Sequence, residues 1–328
     1  MRSLRSALRR SFRKVAALTI AVLVASCGGG SDDSSAPGPG PEEPPPGSTA
    51  FDLDQALELA RLSLQAYQML ADYQAGTTFT LPAPYTLVAT YLTPEQYPGE
   101  SIAVAGSTEV PIAFVATRDD VIFVVYRGTK TISEWIQDAT FGQVENAFLV
   151  SGGLVEEGFS EIYATIHEAI VAQVQSLIAG GSFSELYVTG HSLGAALAVL
   201  SAPELAARTS LEPALYSFAG PRVGDPVFAV AYDEQVSVSW RTVNTNDIVP
   251  TLPPAVAVIV ENGTEKLLFY EHVEAENAIT FGTPIRSPSD ILEDHDLCNY
   301  YDTLCAETPD PSACEALADG ADGCHPPS

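Results

Sequence analysis

A serine framed by glycines, Gly190-His191-Ser192-Leu193-Gly194, separates a short apolar run, Glu185 to Thr189, from an Ala/Leu-rich stretch, Leu193 to Leu200. The run is β-prone and follows the break Gly180-Gly181-Ser182, whereas the stretch after it is rich in strong helix formers. This order predicts a strand, a turn too tight for side chains at its glycines, and a helix. A serine at such a bend lifts an exposed hydroxyl clear of a sheet. The helix N-terminus then points at any negative charge that develops there. The five-residue pattern is weak evidence alone; the strand–turn–helix context gives it meaning.

A serine hydroxyl is a poor nucleophile at neutral pH and needs a base, which in turn needs an orienting acid. At a strand-to-helix turn of this kind the chain order is serine, acid, histidine. His167 precedes Ser192 and reads as a surface helix residue, and His191 reads as a support for the turn. Downstream, His325 lies in a Pro/Gly tail and His272 lies among Glu271, Glu274 and Glu276 in a polar connection. His295 has a firmer setting: Asp290 suits a helix cap, and Ile291, Leu292, Leu297, Tyr300 and Tyr301 can pin the segment to a core. Its neighbours Glu293, Asp294 and Asp296 also suit a solvated turn, and a metal site there lacks a second ligand group at useful spacing. No metal and no cofactor are assigned.

Asp247 is the acid of choice, because it follows the strand Trp240 to Val243 directly and is locked by Pro250, Pro253 and Pro254. Asp225, before Pro226, reads as a helix N-cap. Attack on an acyl carbon also creates an oxyanion, which preorganised donors must meet. The Leu193 N–H at the helix start is one candidate, and Thr129, in the loop Tyr126-Arg127-Gly128-Thr129, is the other. Just beyond, Ile132, Trp135 and Ile136 share one side of a short amphipathic segment, the pattern of ordinary core or of a lid.

These residues must be positioned by the elements around them. Leu53, Leu57, Ala60, Leu64 and Tyr67 have helical spacing, and a second helix is predicted from Gly158 to Ile178. Strands are predicted at Pro111 to Thr117, Val121 to Tyr126, Ala214 to Phe218 and Ser239 to Val243, with a hairpin, Val256 to Val260 and Leu267 to Tyr270, turned at Asn262-Gly263. Val121 to Tyr126 is apolar throughout, as a strand buried on both faces should be. Alternating strands and helices argue a mainly parallel α/β sheet flanked by helices.

The N-terminal segment has a different character. Residues 1–26 carry Arg2, Arg5, Arg9, Arg10, Arg13 and Lys14 with no acid, then the apolar run Val15 to Val24, which reads as a signal peptide too short to span a bilayer. Val24-Ala25-Ser26-Cys27 resembles the processing site of a bacterial lipoprotein, which makes Cys27 a candidate lipid anchor to a membrane. Residues 27–49 then read as a Pro/Gly/Ser-rich tether, on the order of 70 Å when extended. The main domain is placed at residues 50–306 and a cysteine-containing tail at 307–328. Cys298, Cys305, Cys314 and Cys324 form an even set in an exported chain, and adjacent pairing, Cys298–Cys305 and Cys314–Cys324, is expected. Residues 27–328 hold nine Lys+Arg against 42 Asp+Glu, a formal −33, which excludes nucleic acid as a natural partner and opposes anionic headgroups.

Four ordered stretches, Val125 to Thr129 with Trp135 and Asp138, Gly190 to Gly194, Phe218 to Gly224 and Val243 to Pro250, together resemble the class 3 lipases, the fungal-type family within the α/β-hydrolases. A looser fifth is His295 followed by Tyr300. The resemblance implies a single α/β-hydrolase domain acting on carboxylic esters, with acylglycerols as the leading substrates. Phospholipase A1 and feruloyl or short-chain esterase are alternatives within the family. It further implies Ser192 as nucleophile, Asp247 and His295 as its partners, Thr129 and Leu193 at the oxyanion hole, and Ile132, Trp135 and Ile136 in a lid. A non-catalytic lipid-binding surface lipoprotein is the reading from a different class, and no obligate protein partner is implied. The expected location is outside the cytoplasm, either membrane-anchored or secreted.

Overall fold

The computed structural model describes residues 50–94, 109–129, 141–149, 152–261, 263–284, 287–316 and Cys324, all of them within the unit Glu42–Ser328. The expected signal peptide, Cys27, the tether, the lid residues Ile132, Trp135 and Ile136, and His325 lie outside the described residues.

In chain order the elements are α1 (Leu53–Ala75), β1 (Thr86–Pro94), β2 (Glu109–Arg118), β3 (Val121–Tyr126), β4 (Gln143–Glu145), β5 (Leu154–Glu156), α2 (Glu157–Ala164) and α3 (His167–Gly180). There follow β6 (Glu185–His191), α4 (Leu193–Arg208), β7 (Pro213–Phe218), α5 (Pro226–Asp233), β8 (Val238–Asn244) and a 3-10 turn, Val249–Thr251. The hairpin β9 (Val256–Glu261) and β10 (Thr264–Phe269), then β11 (Ala275–Ile279), α6 (Pro288–Asp294), α7 (Leu297–Cys305) and α8 (Pro311–Glu315) complete it.

The main sheet has the order β1-β2-β3-β6-β7-β8-β11. The pairs from β3 to β11 are parallel, and β1 and β2 are attached antiparallel at one side. Side chains alternate across a strand, so β3 divides its apolar run between two cores. Ile122, Val124 and Tyr126 face a cluster with α2, α3, α4 and α5, whereas Val121, Phe123 and Val125 face α1 and α7. Every residue of β3 is buried, which is why its sequence is apolar without alternation.

Two predicted elements differ. The helix expected from Gly158 to Ile178 is two helices broken at Thr165 and Ile166. The Thr165 hydroxyl donates to the Ile162 carbonyl at 2.7 Å and meets the Thr93 hydroxyl at 3.0 Å, so it competes with the backbone ladder at the break. The polar connection holding Glu274 and Glu276 contains β11, an edge strand whose Ala275 and Ile279 are buried and whose Glu276 pairs with Arg241 across the register. Glu276 on its other face, and Asn277 between the two buried residues, conceal the strand from a periodicity argument.

The expected disulfide pairing is wrong. The structure joins Cys298 to Cys324 and Cys305 to Cys314, with Cα separations of 5.7 and 5.5 Å. Cys298 and Cys305 lie at opposite ends of α7, and seven helical residues rise ~10.5 Å, beyond the reach of one bridge. Cys305 instead meets Cys314 on α8, which staples that short helix beneath α7.

Candidate functional site

Glycines allow the close approach that builds the site. At Gly190 a Cβ would strike the Gly194 carbonyl, and at Gly194 it would strike the Tyr126 carbonyl, so the turn after β6 presses against the end of β3. Ser192 occupies the turn with φ 59° and ψ −125°, a conformation that L-residues adopt only under constraint from their surroundings. Leu193 then begins α4, and its N–H is one of the first-turn donors that a helix leaves unused.

The loop after β3 passes beside this serine. A Cβ on Gly128 would lie 3.1 Å from Ser192 Cβ and 2.6 Å from the His191 carbonyl. Arg127 holds the loop from within: its Nε donates to Pro111 at 2.9 Å, and its guanidinium also donates to the Gly128 carbonyl. Thr129 follows, half-buried, at the edge of the described segment.

Asp247 sits after β8 with its backbone N–H on the Asn244 carbonyl at 2.9 Å. Its Oδ1 accepts from the Val249 N–H at 2.9 Å, and its Oδ2 accepts from the Tyr300 hydroxyl at 2.8 Å. His295 stands between α6 and α7, ending the former. Its Nδ1–H donates to Asp247 Oδ2 at 2.7 Å, which leaves Nε2 as an acceptor for the Ser192 hydroxyl at 2.8 Å. The three residues thus form one hydrogen-bonded chain in the order serine, imidazole, carboxylate. Exposures of 1 % for Ser192, 5 % for His295 and 3 % for Asp247 keep the chain dry. The hydroxyl therefore differs from the exposed one expected at the turn, since the Gly128 loop and His295 cover it.

The structure brings Ser192, Asp247, His295, Leu193 and the Gly128–Thr129 loop together. The other histidines go elsewhere. His272 donates through Nε2 to the Pro250 carbonyl at 2.8 Å, and burial pushes its pKa down to about 3. His167, expected at the surface, is half-buried, and its Nδ1 lies 3.0 Å from Glu204 Oε1. Its ligand atoms and those of Glu168 and Glu204 lie within 4.8 Å, but Arg208 donates to both carboxylates and the Tyr163 hydroxyl to Glu204. Asp225 caps α5 through the Phe228 N–H at 2.8 Å.

Two residues acquire roles that their sequence patterns do not suggest. Tyr300 donates to Asp247 and accepts the Asn244 N–H at 2.8 Å, and burial, then the Asp247 charge, raise its pKa well above that of a free phenol. Tyr67 appears in the sequence as one apolar position of a helical stripe, yet its hydroxyl reaches His191 at 2.7 Å. No local signal distinguishes it, because its partner lies 124 residues away.

Residues 123–257 match the family model described as class 3 lipase. A lipase of Rhizomucor miehei is 40% identical over 160 residues, which cover 47% of this chain and 44% of the relative. A chloroplastic phospholipase A(1) of Arabidopsis thaliana is 29% identical over 241 residues, covering 68% of this chain and 52% of the relative. The chain therefore spans about half the length of these curated relatives. The solved structure of a triacylglycerol lipase whose catalytic centre is a serine-protease triad superposes with a TM-score of 0.53 at 29% identity, covering 69% of this chain and 88% of that one. With its mainly parallel, helix-flanked sheet and its glycine-framed serine turn, the chain has the α/β-hydrolase fold, and over residues 123–257 it is similar to the class 3 lipases.

Proposed function

We propose that the protein is a carboxylester hydrolase that cleaves acylglycerols through an acyl-enzyme. The observation that carries this reading is the chain of short hydrogen bonds from Ser192 through His295 to Asp247. Ser192 Oγ attacks the ester carbonyl carbon as its proton passes to His295 Nε2, and Asp247 holds the imidazole and offsets its positive charge. The carbonyl oxygen, now an anion, receives the N–H groups of Leu193 and Thr129. Collapse expels the alcohol, protonated by His295, and leaves the acyl group on Ser192. Water then attacks with His295 as base, which releases the fatty acid and restores the serine.

The triad of the similar triacylglycerol lipase supports the same assignment, and the family supports acylglycerol as substrate. The Arabidopsis phospholipase A(1), whose match spans 241 residues, favours a second reading in which a phosphoglyceride is cleaved. The apolar trio Ile132, Trp135 and Ile136 fits a lid that meets lipid, and two disulfides fit an oxidising compartment outside the cytoplasm. The signal-like residues 1–26, a lipidated Cys27 and the tether to residue 49 complete the proposal.

Hydrolysis of p-nitrophenyl esters of graded chain length, then of dioleoylglycerol and phosphatidylcholine, tests it. Long-chain acylglycerol should be preferred, and Ser192→Ala should abolish turnover and fluorophosphonate labelling. Equal rates for wild type and Ser192→Ala would overturn the enzyme reading. Fatty-acid labelling that is lost in Cys27→Ser would support the anchor, and equal labelling of both would exclude it.

A further inference from the structure

We propose that His191 is a positioning residue, a neutral imidazole that clamps the backbone of His295, and that Tyr67 locks the tautomer this clamp requires. The inference rests on the reading of Ser192 and His295 given above and deepens it.

The His191 ring is 4 % exposed, and both its nitrogens are engaged. Nε2 lies 2.9 Å from the His295 carbonyl oxygen. A carbonyl can only accept, so Nε2 carries the proton. Nδ1 is then the acceptor, and the Tyr67 hydroxyl at 2.7 Å is its donor. Consecutive residues of one turn therefore hold a single histidine at two points: Ser192 at the imidazole and His191 at the main chain. Asp247 holds the far side of the same ring. A side chain fixed at its ring and its backbone has little freedom to swing from the nucleophile, and small misplacements of a base are costly.

The charge state matters as much as the contact. The two imidazoles lie 4.7 Å apart between centroids, and His295 becomes cationic each time it takes the serine proton. Burial, then the neighbouring His295, holds the His191 pKa well below the ordinary histidine value, so the clamp does not add a second cation. Tyr67 extends the arrangement to the oxyanion loop, because a Cβ on Gly128 would collide with its hydroxyl oxygen. One phenol on α1 thus braces the nucleophile turn against the loop that carries Thr129.

Nitrogen-15 NMR of selectively labelled histidine, on full-length wild type and on Ser192→Ala, tests the tautomer independently of activity. The His191 signals should report a proton on Nε2, and Tyr67→Phe should shift Nδ1 as it loses its donor. In steady state on a soluble short-chain ester, His191→Leu should lower kcat ~10²-fold with KM within about twofold. His191→Gln, which can present an N–H near the Nε2 position, should recover all but about tenfold. A proton on Nδ1, or a kcat for His191→Leu within about threefold of wild type, overturns the clamp. Equal loss in the Gln and Leu variants would also overturn it, because the side chain would then serve only packing. Turnover surviving in Ser192→Ala would instead overturn the reading of the site, and the tautomer result would stand apart from it.

Discussion

Replacing Asp247 with asparagine exchanges one carboxylate oxygen for an amide group, and the surrounding donors leave that group no acceptable position. Oδ1 accepts from the Val249 N–H, and Oδ2 accepts from both the Tyr300 hydroxyl and the His295 Nδ1–H. If the amide NH2 takes the Oδ1 position, it opposes the Val249 N–H in a buried site, at a cost of about 1–3 kcal/mol. If it takes the Oδ2 position, it donates to Nδ1, the ring's proton moves to Nε2, and no lone pair faces Ser192. Both arrangements remove the negative charge that offsets the imidazolium. A kcat lower by ~10⁴, or ~5.5 kcal/mol in barrier, is expected, with KM changed only a few-fold. Initial rates on a soluble p-nitrophenyl ester measure it, and thermal melting guards against a loss of fold. A kcat within about tenfold of wild type would refute the role given to Asp247.

Tyr300→Phe strips one donor from Asp247 and leaves the buried Asn244 N–H without its acceptor, so urea unfolding should show a loss of about 1–3 kcal/mol; an unchanged midpoint contradicts this. Burial pushes the carboxyls of Glu156 and Glu274 up from 4.5 to about 7. The folded state therefore binds more protons than the unfolded state between those values, and stability should fall as pH rises through that window and level off above it. The slope is at most about 1.4 kcal/mol per pH unit for each group, and Glu274→Gln should remove one share; identical slopes in both proteins would refute it. Opening the Cys298–Cys324 bridge, which closes a separation of 26 residues, should cost ~3.5 kcal/mol, and the Cys305–Cys314 bridge, separation 9, ~2.6 kcal/mol. Non-reducing peptide mapping should recover these pairs rather than the adjacent ones.

Local sequence determined the elements whose chemistry is local. Glu185 to Leu200 announces its own strand, turn and helix, because only glycine tolerates the approach of the Gly194 and Tyr126 carbonyls. Val121 to Tyr126 announces a strand buried on both faces, because no polar side chain interrupts it. Asn262-Gly263 marks the hairpin whose register pairs Glu261 with Thr264. Asp247 and His295 stood out through chain order and the rigidity of their flanks.

What the sequence left open depended on contacts between distant segments. Edge pairing made a strand of Ala275 to Ile279, since β8 supplies the hydrogen bonds that its composition does not advertise. The length of α7 decided the disulfides, because a helix separates Cys298 from Cys305 that the sequence separates by only seven positions. Tyr67 and Tyr300 look like core residues until the fold carries their polar atoms to His191 and Asp247. Residue types and spacing determined which chemistry is proposed for this chain. The tertiary structure alone decided the distances of 2.7 and 2.8 Å on which that chemistry depends, because hydrogen bonds are made in space between groups that the chain order keeps far apart.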